Sequence, residues 1–510
     1  MKLAELVGQR MVIGIPGTRI TPEIVRHFQE LHAGGLILYR RNFDSPGQIK
    51  KLITDLEEAL GRRLLVTTDH EGGRVIMFRD GITVFPDNLA LGGAGNLDYA
   101  RQQGEIEARE LRRLGIDVNL APVLDVLTEA YSPNIGIRSY GQDWQLVAQM
   151  GAARIAAMQQ GGLSACAKHF PGKGHAPVDA HLSLPVIGST WKEMEAVHLK
   201  PFVAAIQAGV DLVMSSHPYY PKLDPYPNMI ATFSKKIIYD YLRGELNFTG
   251  VITSDDLEMG AIKAICPIGE AAILTTHAGH DLLLVCHDPK AQKEVYYKLV
   301  EAYSSKQLPL KELEESAARI RRLKLKRAQR FEGGEPGAEP AGSSLAARIC
   351  RESVQVLTDE RKIIPLKRGE LSIGVILPRF SALDAKIMIE REVLPERDFL
   401  RKEFKKFGFD PEIQIVSIAP AEREIQQAVN LAKKSDVTIL FCYDAHLYPA
   451  DKRLLDSIQE AAPKLVVDLL RDPYDAAFIQ PGTACLTDFG WRACQIKAAI
   501  EKICAGEMPR

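Results

Sequence analysis

The chain has 510 residues, of which 46% are hydrophobic and 25% charged, and its formal net charge is −1. This composition is typical of globular proteins, and the length favours two domains. A net charge near zero argues against recognition of nucleic acid or an anionic membrane by overall charge and favours a small, mostly neutral ligand. The first segment, MKLAELVGQRMVIGIPG, lacks a long apolar core, which predicts a cytoplasmic protein without a membrane span. The eight cysteines are scattered, so we expect reduced thiols.

Short apolar segments alternate with amphipathic, helix-like segments over the first 330 residues. The apolar segments are GLILY (35–39), LLVTTD (64–69), VNLAPVLD (118–125), SACAKHF (164–170), DLVMSSH (211–217), GVITSDD (250–256) and DLLLVCHD (281–288). Repeated strand-then-helix alternation indicates a parallel α/β fold. Most of these segments end in polar or charged residues, as the strands of a barrel with one catalytic mouth do. An open sheet would collect such residues at a single switch point. The sequence therefore predicts a TIM-like (β/α)8 barrel in residues 1–330.

A compositional change follows the predicted barrel. Residues 331–344, FEGGEPGAEPAGSS, are rich in Gly, Pro, Glu and Ser, which predicts a linker. The alternation then restarts in residues 345–510, which we expect to form a smaller α/β/α sandwich domain. Its apolar segments are LSIGVIL (371–377), IQIVSI (413–418), VTILFCY (437–443), KLVVDLL (464–470) and TACLTDF (483–489).

One loop gathers many titratable side chains. The strand SACAKHF places Lys168 and His169 at its carboxyl end, and the sequence continues as FPGKGHAPVDAHLSLP. Its prolines and glycines exclude a helix, so we expect a long loop at the barrel mouth.

Two residues of this loop, Asp179 and His181, are spaced so that both side chains can face the same way. A carboxylate that accepts from one imidazole nitrogen fixes the tautomer and leaves the other nitrogen for proton transfer. An ordinary loop hydrogen bond is an alternative interpretation. A zinc site is another, although its spacing fits no common pattern. Its ligands would be His169, His175, Asp179 and His181.

The segment GVITSDDLEMGAI runs from a strand into two adjacent aspartates. Because strands of a barrel end at its mouth, at least one carboxylate is expected there. Such a pair is also typical of a helix N-cap followed by a first-turn acid. We expect Asp256 to have the structural role.

Together these motifs resemble glycoside hydrolase family 3, in its β-N-acetylglucosaminidase branch. The resemblance follows the whole barrel region in order and continues at ESVQVLTDERKIIPLK (352–367), which is similar to the start of the family's second domain. The barrel motifs are DHEGGRV (69–75), APVLDV (121–126), NIGIRSYG (134–141), KHFPGKG with VDAH (168–181) and GVITSDDLEMGAI (250–262).

The resemblance implies a retaining exo-β-N-acetylglucosaminidase. Asp255 matches the position of the family's nucleophile, which forms a covalent glycosyl-enzyme. His181 matches the loop histidine that serves as general acid/base in this branch, where other retaining enzymes use a second carboxylate. Asp179 matches the carboxylate that orients it. A histidine suits this role because its ordinary pKa lies near 6.5.

The same resemblance implies that Asp69, Arg138, Lys168 and His169 bind the sugar. An aspartate can accept hydrogen bonds from two hydroxyls, and Arg and Lys can donate to hydroxyls and to an N-acetyl carbonyl. The expected partner is a small saccharide containing N-acetylglucosamine, by family analogy a peptidoglycan fragment. We expect no metal, no cofactor, no nucleic acid and no membrane partner. The sequence does not predict an oligomeric state.

Three positions depart from the family pattern. The family's loop commonly reads PGHGD, so Lys173 and His175 replace a histidine and an aspartate. Met77 stands where close relatives carry an arginine. These changes leave the sugar open. The alternatives are a β-N-acetylglucosaminide phosphorylase, a β-glucosidase of the same family, and a catalytically silent sugar-binding protein.

Overall fold

The computed structural model describes residues 2–129, 131–176, 184–327, 337–367, 371–379 and 396–505. The chain forms two compact units. The first contains Met1–Phe85 and Asn96–Ser343, and the second contains Pro86–Gly95 and Ser344–Arg510. The predicted linker at 331–344 lies partly outside the described residues, and the domain limits given by the sequence stay a prediction.

The first unit is a closed barrel of parallel strands, each paired with its neighbours in chain order, and the last paired with the first. The TIM-like barrel is therefore confirmed. Its described strands are β1 (Met11–Gly14), β2 (Gly35–Leu38), β3 (Leu65–Thr68), β4 (Val118–Asn119), β5 (Ser164–Phe170), β6 (Leu212–Ser215), β7 (Val251–Asp256) and β8 (Leu282–Val285). The sequence analysis missed β1, whose four residues begin two residues after the end of the short helix Leu3–Gln9.

Helices surround this barrel. Those described are α1 (Leu3–Gln9), α2 (Pro22–Glu30), α3 (Pro46–Leu60), α5 (Leu97–Leu114), α6 (Trp144–Gln160), α7 (Trp191–Glu193), α8 (Lys200–Gln207), α9 (Gly260–Lys263), α10 (Ile268–His277), α11 (Pro289–Ser304) and α12 (Leu310–Lys326). Two further segments, Met194–His198 and Lys236–Glu245, are π-helical. Helix α4 (Asn88–Ala94) lies in the inserted segment that belongs to the second unit.

Alternate residues of the strands pack on opposite faces, as the pleat requires. In β2, Ile37 packs inside the barrel with residues such as Val12 and Leu65, whereas Leu36 and Leu38 pack in the outer core with the helices. This two-sided burial holds each strand in register, and it places all the carboxyl ends of the strands at one rim of the barrel.

The second unit is built on a six-stranded sheet in the order β11-β10-β12-β13-β14-β9, so the predicted second α/β domain is confirmed. Among the described strands of this sheet, β9 alone runs antiparallel to its neighbour; it is an exposed edge strand that the sequence analysis missed. The strands are β9 (Gln355–Thr358), β10 (Ile373–Pro378), β11 (Glu412–Val416), β12 (Val437–Tyr443), β13 (Leu465–Leu470) and β14 (Ala484–Thr487). The helices are α13 (Pro340–Ser353), which starts in the first unit, α14 (Glu396–Lys405), α15 (Glu422–Lys434), α16 (Pro449–Ala461) and α17 (Ala493–Ala505).

Among the described helices, none combines the length and the apolar character that crossing a lipid bilayer requires.

Candidate active site

Titratable side chains lie where several barrel strands end, at the rim that the fold predicts for chemistry. Asp69 follows β3, Lys168 and His169 lie near the end of β5, and Asp255 lies near the end of β7. Because neighbouring strands converge there, residues that are far apart in the sequence come into contact.

Lys168 lies at the centre of the first group of contacts. Its Nζ donates to Asp69 Oδ1 at 2.6 Å and lies 2.6 Å from Glu71 Oε1. Burial lowers the pKa of Lys168, but the two carboxylates outweigh burial and hold the pKa above its usual value. The ammonium group therefore stays charged.

Arg138 extends this group through Glu71. Its guanidinium donates to both oxygens of Glu71, at 2.7 and 2.8 Å, which is the strong bidentate arrangement. Burial raises the pKa of Glu71, but Arg138 and Lys168 outweigh it and hold the pKa well below its usual value. Glu71 is 2% exposed, so its main role is to orient the two cations.

His169 joins the same group in a defined tautomer. Its Nδ1 lies 2.7 Å from Asp125 Oδ2, and its Nε2 lies 3.4 Å from Arg138 Nη2. Since a carboxylate accepts and a guanidinium donates, Nδ1 carries the hydrogen and Nε2 accepts. Burial lowers the pKa of His169 well below its usual value, and Lys173 adds to the effect. His169 is therefore neutral.

Asp125 is fully buried and connects His169 to the loop that follows β5. Its Oδ1 accepts from the backbone N–H of Lys173 at 2.6 Å, while Oδ2 accepts from His169. Burial raises the pKa of Asp125 to about 6, against the opposing effect of Lys173. One carboxylate thus fixes both the ring of His169 and the start of the loop.

Asp255 has cationic and donor groups around its carboxylate. Lys173 Nζ lies 4.0 Å from Asp255 Oδ2, and the backbone N–H of Asp256 donates to Oδ1 at 2.8 Å. Burial raises the pKa of Asp255, but Lys173, His217 and this N–H outweigh it and bring the pKa below its usual value. Asp255 is therefore ionised, as a nucleophile must be.

The predicted sugar-binding residues Asp69, Arg138, Lys168 and His169 form one connected group at the barrel rim. Their roles stay predictions. The predicted dyad of Asp179 and His181 lies outside the described residues. Asp256 makes structural contacts, because its Oδ1 accepts from the backbone N–H groups of Glu258, after β7, and Cys286, after β8.

The sequence predicted no role for two residues that contact this group, Asp125 and Lys173. Asp125 ends the apolar segment VNLAPVLD (118–125), and its position at the end of a predicted strand was the available signal. Lys173 was noted only as a departure from the family loop. Its proximity to Asp255 depends on the tertiary fold and left no local pattern.

The arrangement suits chemistry on a polyhydroxylated ring. It combines an ionised carboxylate with oriented ammonium and guanidinium donors and with a carboxylate, Asp69, that is 19% exposed and can accept from hydroxyls. The described residues include no group of three or more His, Cys, Asp or Glu side chains placed to hold a metal ion.

Comparison with known proteins decides the family. The model of the glycosyl hydrolase family 3 N-terminal domain matches residues 2–323. The chain belongs to glycosyl hydrolase family 3. It is a glycoside hydrolase, in agreement with the resemblance drawn from its motifs.

Individual members of family 3 are similar over different lengths. A beta-hexosaminidase of Idiomarina loihiensis is 35% identical over 337 residues, which are 63% of this chain and 98% of that protein. A family 3 beta-N-acetylglucosaminidase structure from Paenibacillus sp. str. FPU-7 has a TM-score of 0.92 at 30% identity and covers 99% of this chain and 97% of its own. NagZ from Neisseria gonorrhoeae, in complex with N-trifluoroacetyl-D-glucosamine, has a TM-score of 0.58 at 30% identity, and the match covers 68% of this chain and 97% of NagZ.

The contacts of Asp125 make a prediction for Asp125→Asn. The NH2 group of an asparagine would face either the N–H of Lys173 or the ring of His169. Facing Lys173, it would place a donor against a donor. Facing His169, it would either do the same or force the His169 ring into the other tautomer. We expect kcat/KM to fall by about 10²-fold or more, in line with tautomer loss at other buried carboxylate–imidazole pairs. Steady-state kinetics with an aryl glycoside measures the loss.

The pH profile separates this role from a purely structural one. The pKa of Asp125 is about 6, so its carboxylate is ionised above that pH and protonated below it. Wild-type kcat/KM should therefore fall as pH drops through about 6, and this limb should vanish in Asp125→Asn. Asp117→Asn is the control, since buried Asp117 pairs with Arg112 just before β4 begins, at the other end of the barrel. If kcat/KM of Asp125→Asn falls below about pH 6 as it does in the wild type, the role assigned to the Asp125 carboxylate is wrong.

Proposed function

We propose that the chain is a retaining exo-β-N-acetylglucosaminidase that hydrolyses terminal β-linked N-acetylglucosamine. The observation that carries the proposal is the ionised Asp255 at the same rim as the group formed by Lys168, Asp69, Arg138 and His169. Family 3 membership and the similarity to a beta-hexosaminidase and to a beta-N-acetylglucosaminidase support the same sugar.

In the first step, an oxygen of Asp255 attacks the anomeric carbon and the bond to the leaving group breaks. The departing oxygen takes a proton from His181, which Asp179 orients. Lys168, Arg138, His169 and Asp69 hold the sugar through its hydroxyls and N-acetyl group. In the second step, His181 removes a proton from water, and the water oxygen replaces Asp255 with net retention of configuration.

Peptidoglycan fragments are the proposed natural source of the substrate, by analogy with relatives, and the cytoplasm is the proposed compartment. The sugar recognised is set by the rim residues. The chemistry of the rest of the substrate depends on the loops around the mouth, three of whose residues, Met77, Lys173 and His175, differ from the family pattern.

Product analysis tests the proposal. We expect 4-nitrophenyl β-N-acetylglucosaminide to be cleaved with a kcat/KM well above that of the β-glucoside, and the first product observed by NMR to be the β-anomer. An α-anomer as first product, or faster turnover of the glucoside, would overturn it.

The same assay, run in phosphate-free buffer and in added phosphate, separates hydrolysis from phosphorolysis. The proposal predicts free N-acetylglucosamine as the main product in both buffers. A glycosyl phosphate as the main product would instead assign a phosphorylase.

A further inference from the structure

We propose that Lys173 is a positioning residue that acts through Asp255. Its ammonium group speeds the second half of the reaction by stabilising the Asp255 carboxylate as it departs from the sugar. This inference rests on the proposed role of Asp255 as nucleophile. It concerns a residue that stands where the family loop commonly has a histidine.

The backbone fixes the place of Lys173. Its N–H donates to Asp125 Oδ1 at 2.6 Å, and it is flanked by Gly172 and Gly174. A Cβ on Gly172 would lie 2.9 Å from His198 Cβ, and one on Gly174 would lie 2.0 Å from the carbonyl oxygen of Val126. The turn is therefore packed closely on both sides, and only glycine fits at these two positions.

The side chain of Lys173 is buried, with 4% of it exposed, and its Nζ lies 4.0 Å from Asp255 Oδ2. Among the described residues, the titratable groups that interact electrostatically with it include Asp255 near the end of β7, Asp125 after β4, His169 in β5 and His217 after β6. Of these, Asp255 is the one whose charge changes during the proposed reaction.

The charge of Asp255 is present, absent and present again during one turnover. In the free enzyme it is a carboxylate beside the ammonium group. In the glycosyl-enzyme it is a neutral ester, so the buried cation loses its opposite charge. In the second step a water oxygen bonds to the anomeric carbon, the bond from that carbon to Asp255 breaks, and its electron pair returns to the carboxylate. The water proton goes to the general base.

Lys173 therefore stabilises the carboxylate forms relative to the ester. It makes Asp255 a better leaving group and a weaker nucleophile, so it favours breakdown of the intermediate over its formation. A histidine at this position would do so only while protonated. The ordinary pKa of lysine, about 10.4, lies well above that of histidine, about 6.5, so a lysine is charged over a wider range of pH than a histidine is.

The test is Lys173→Met, which keeps the length of the side chain and removes the charge. We expect kcat to fall about tenfold to a hundredfold, as a loss of one to two pKa units of charge stabilisation would cause. KM should fall with it, so that kcat/KM changes much less. The value of kcat should become the same for aryl glycosides with good and poor leaving groups.

Two further readouts separate this role from a structural one. Methanol, which attacks the glycosyl-enzyme in place of water, should raise kcat of Lys173→Met more than that of the wild type. Lys173→Arg should restore most of kcat, and Lys173→His should restore it only at pH values below the pKa of the new imidazole. Lys324→Met is the control, because the partly buried Lys324 donates to Gly34 O, just before β2 begins.

The outcomes distinguish this inference from the proposed function. If Lys173→Met keeps a kcat that depends on the leaving group and does not respond to methanol more than wild type does, the role of Lys173 is wrong while that of Asp255 stands. If Asp255→Asn keeps its activity, the proposed function itself fails. Equal effects of Lys173→Met and Lys324→Met on the kinetics would also overturn the inference, since they would indicate a general effect on the fold.

Discussion

Asp255→Asn is expected to lower kcat by on the order of 10⁴-fold or more, since removal of a nucleophile leaves only binding and charge stabilisation. An amide keeps the size of the side chain, and its oxygen can still accept from the N–H of Asp256 at the distance of 2.8 Å seen for the carboxylate. The negative charge is lost, and with it the ability to form the ester. Steady-state kinetics with 4-nitrophenyl β-N-acetylglucosaminide measures the fall.

The adjacent residue offers a matched control. In Asp256→Asn the amide oxygen can still accept from the N–H groups of Glu258 and Cys286, so this variant should keep most of the activity. Thermal unfolding of both variants checks that the barrel is intact. A kcat within tenfold of wild type for Asp255→Asn would remove Asp255 from the nucleophile role.

His181→Ala is expected to produce the second large effect, and one that depends on the substrate. A general acid matters most when the departing oxygen is a poor leaving group. We therefore expect losses of about 10²- to 10⁴-fold for alkyl glycosides and much smaller losses in the first step for 2,4-dinitrophenyl glycosides. A panel of aryl glycosides with graded phenol pKa values measures the slope of log(kcat/KM).

His175→Ala is the control for His181→Ala. His175 is another imidazole of the same loop, and its Nδ1 lies 2.9 Å from Thr128 Oγ1. Its replacement should leave the slope against leaving-group pKa as in the wild type. An equal loss for all leaving groups in His181→Ala would show that His181 positions the substrate and does not transfer protons.

Much of the barrel was predictable because burial on two faces leaves short apolar runs in the sequence. The segment 164–170 was predicted as a strand and forms β5 over the same residues. The strands β1 and β9 were missed for different reasons. β1 has four residues beside a helix, and β9 lies at an exposed edge, where no apolar run is required.

The residues of the candidate site were predictable where they end a strand, as Lys168, His169 and Asp255 do. Their partners were not. The bond from Lys173 to Asp125 joins residues 48 apart, and the approach of Lys173 to Asp255 joins the loop after β5 to the end of β7. Such contacts depend on how neighbouring strands are placed around the barrel. The periodicity of the sequence carries no information about the distance between side chains on different strands.

The central claim is that Asp255 forms a covalent bond to the sugar. Its most direct test is to incubate the wild-type enzyme with a 5-fluoro N-acetylglucosaminyl fluoride, which slows breakdown of the intermediate, then quench in acid, digest and map the adduct by mass spectrometry. We expect one fluorinated N-acetylhexosamine on the peptide that contains Asp255, with fragmentation placing it on that residue. An adduct on another residue, or turnover of this substrate with no adduct on the protein, would contradict the account.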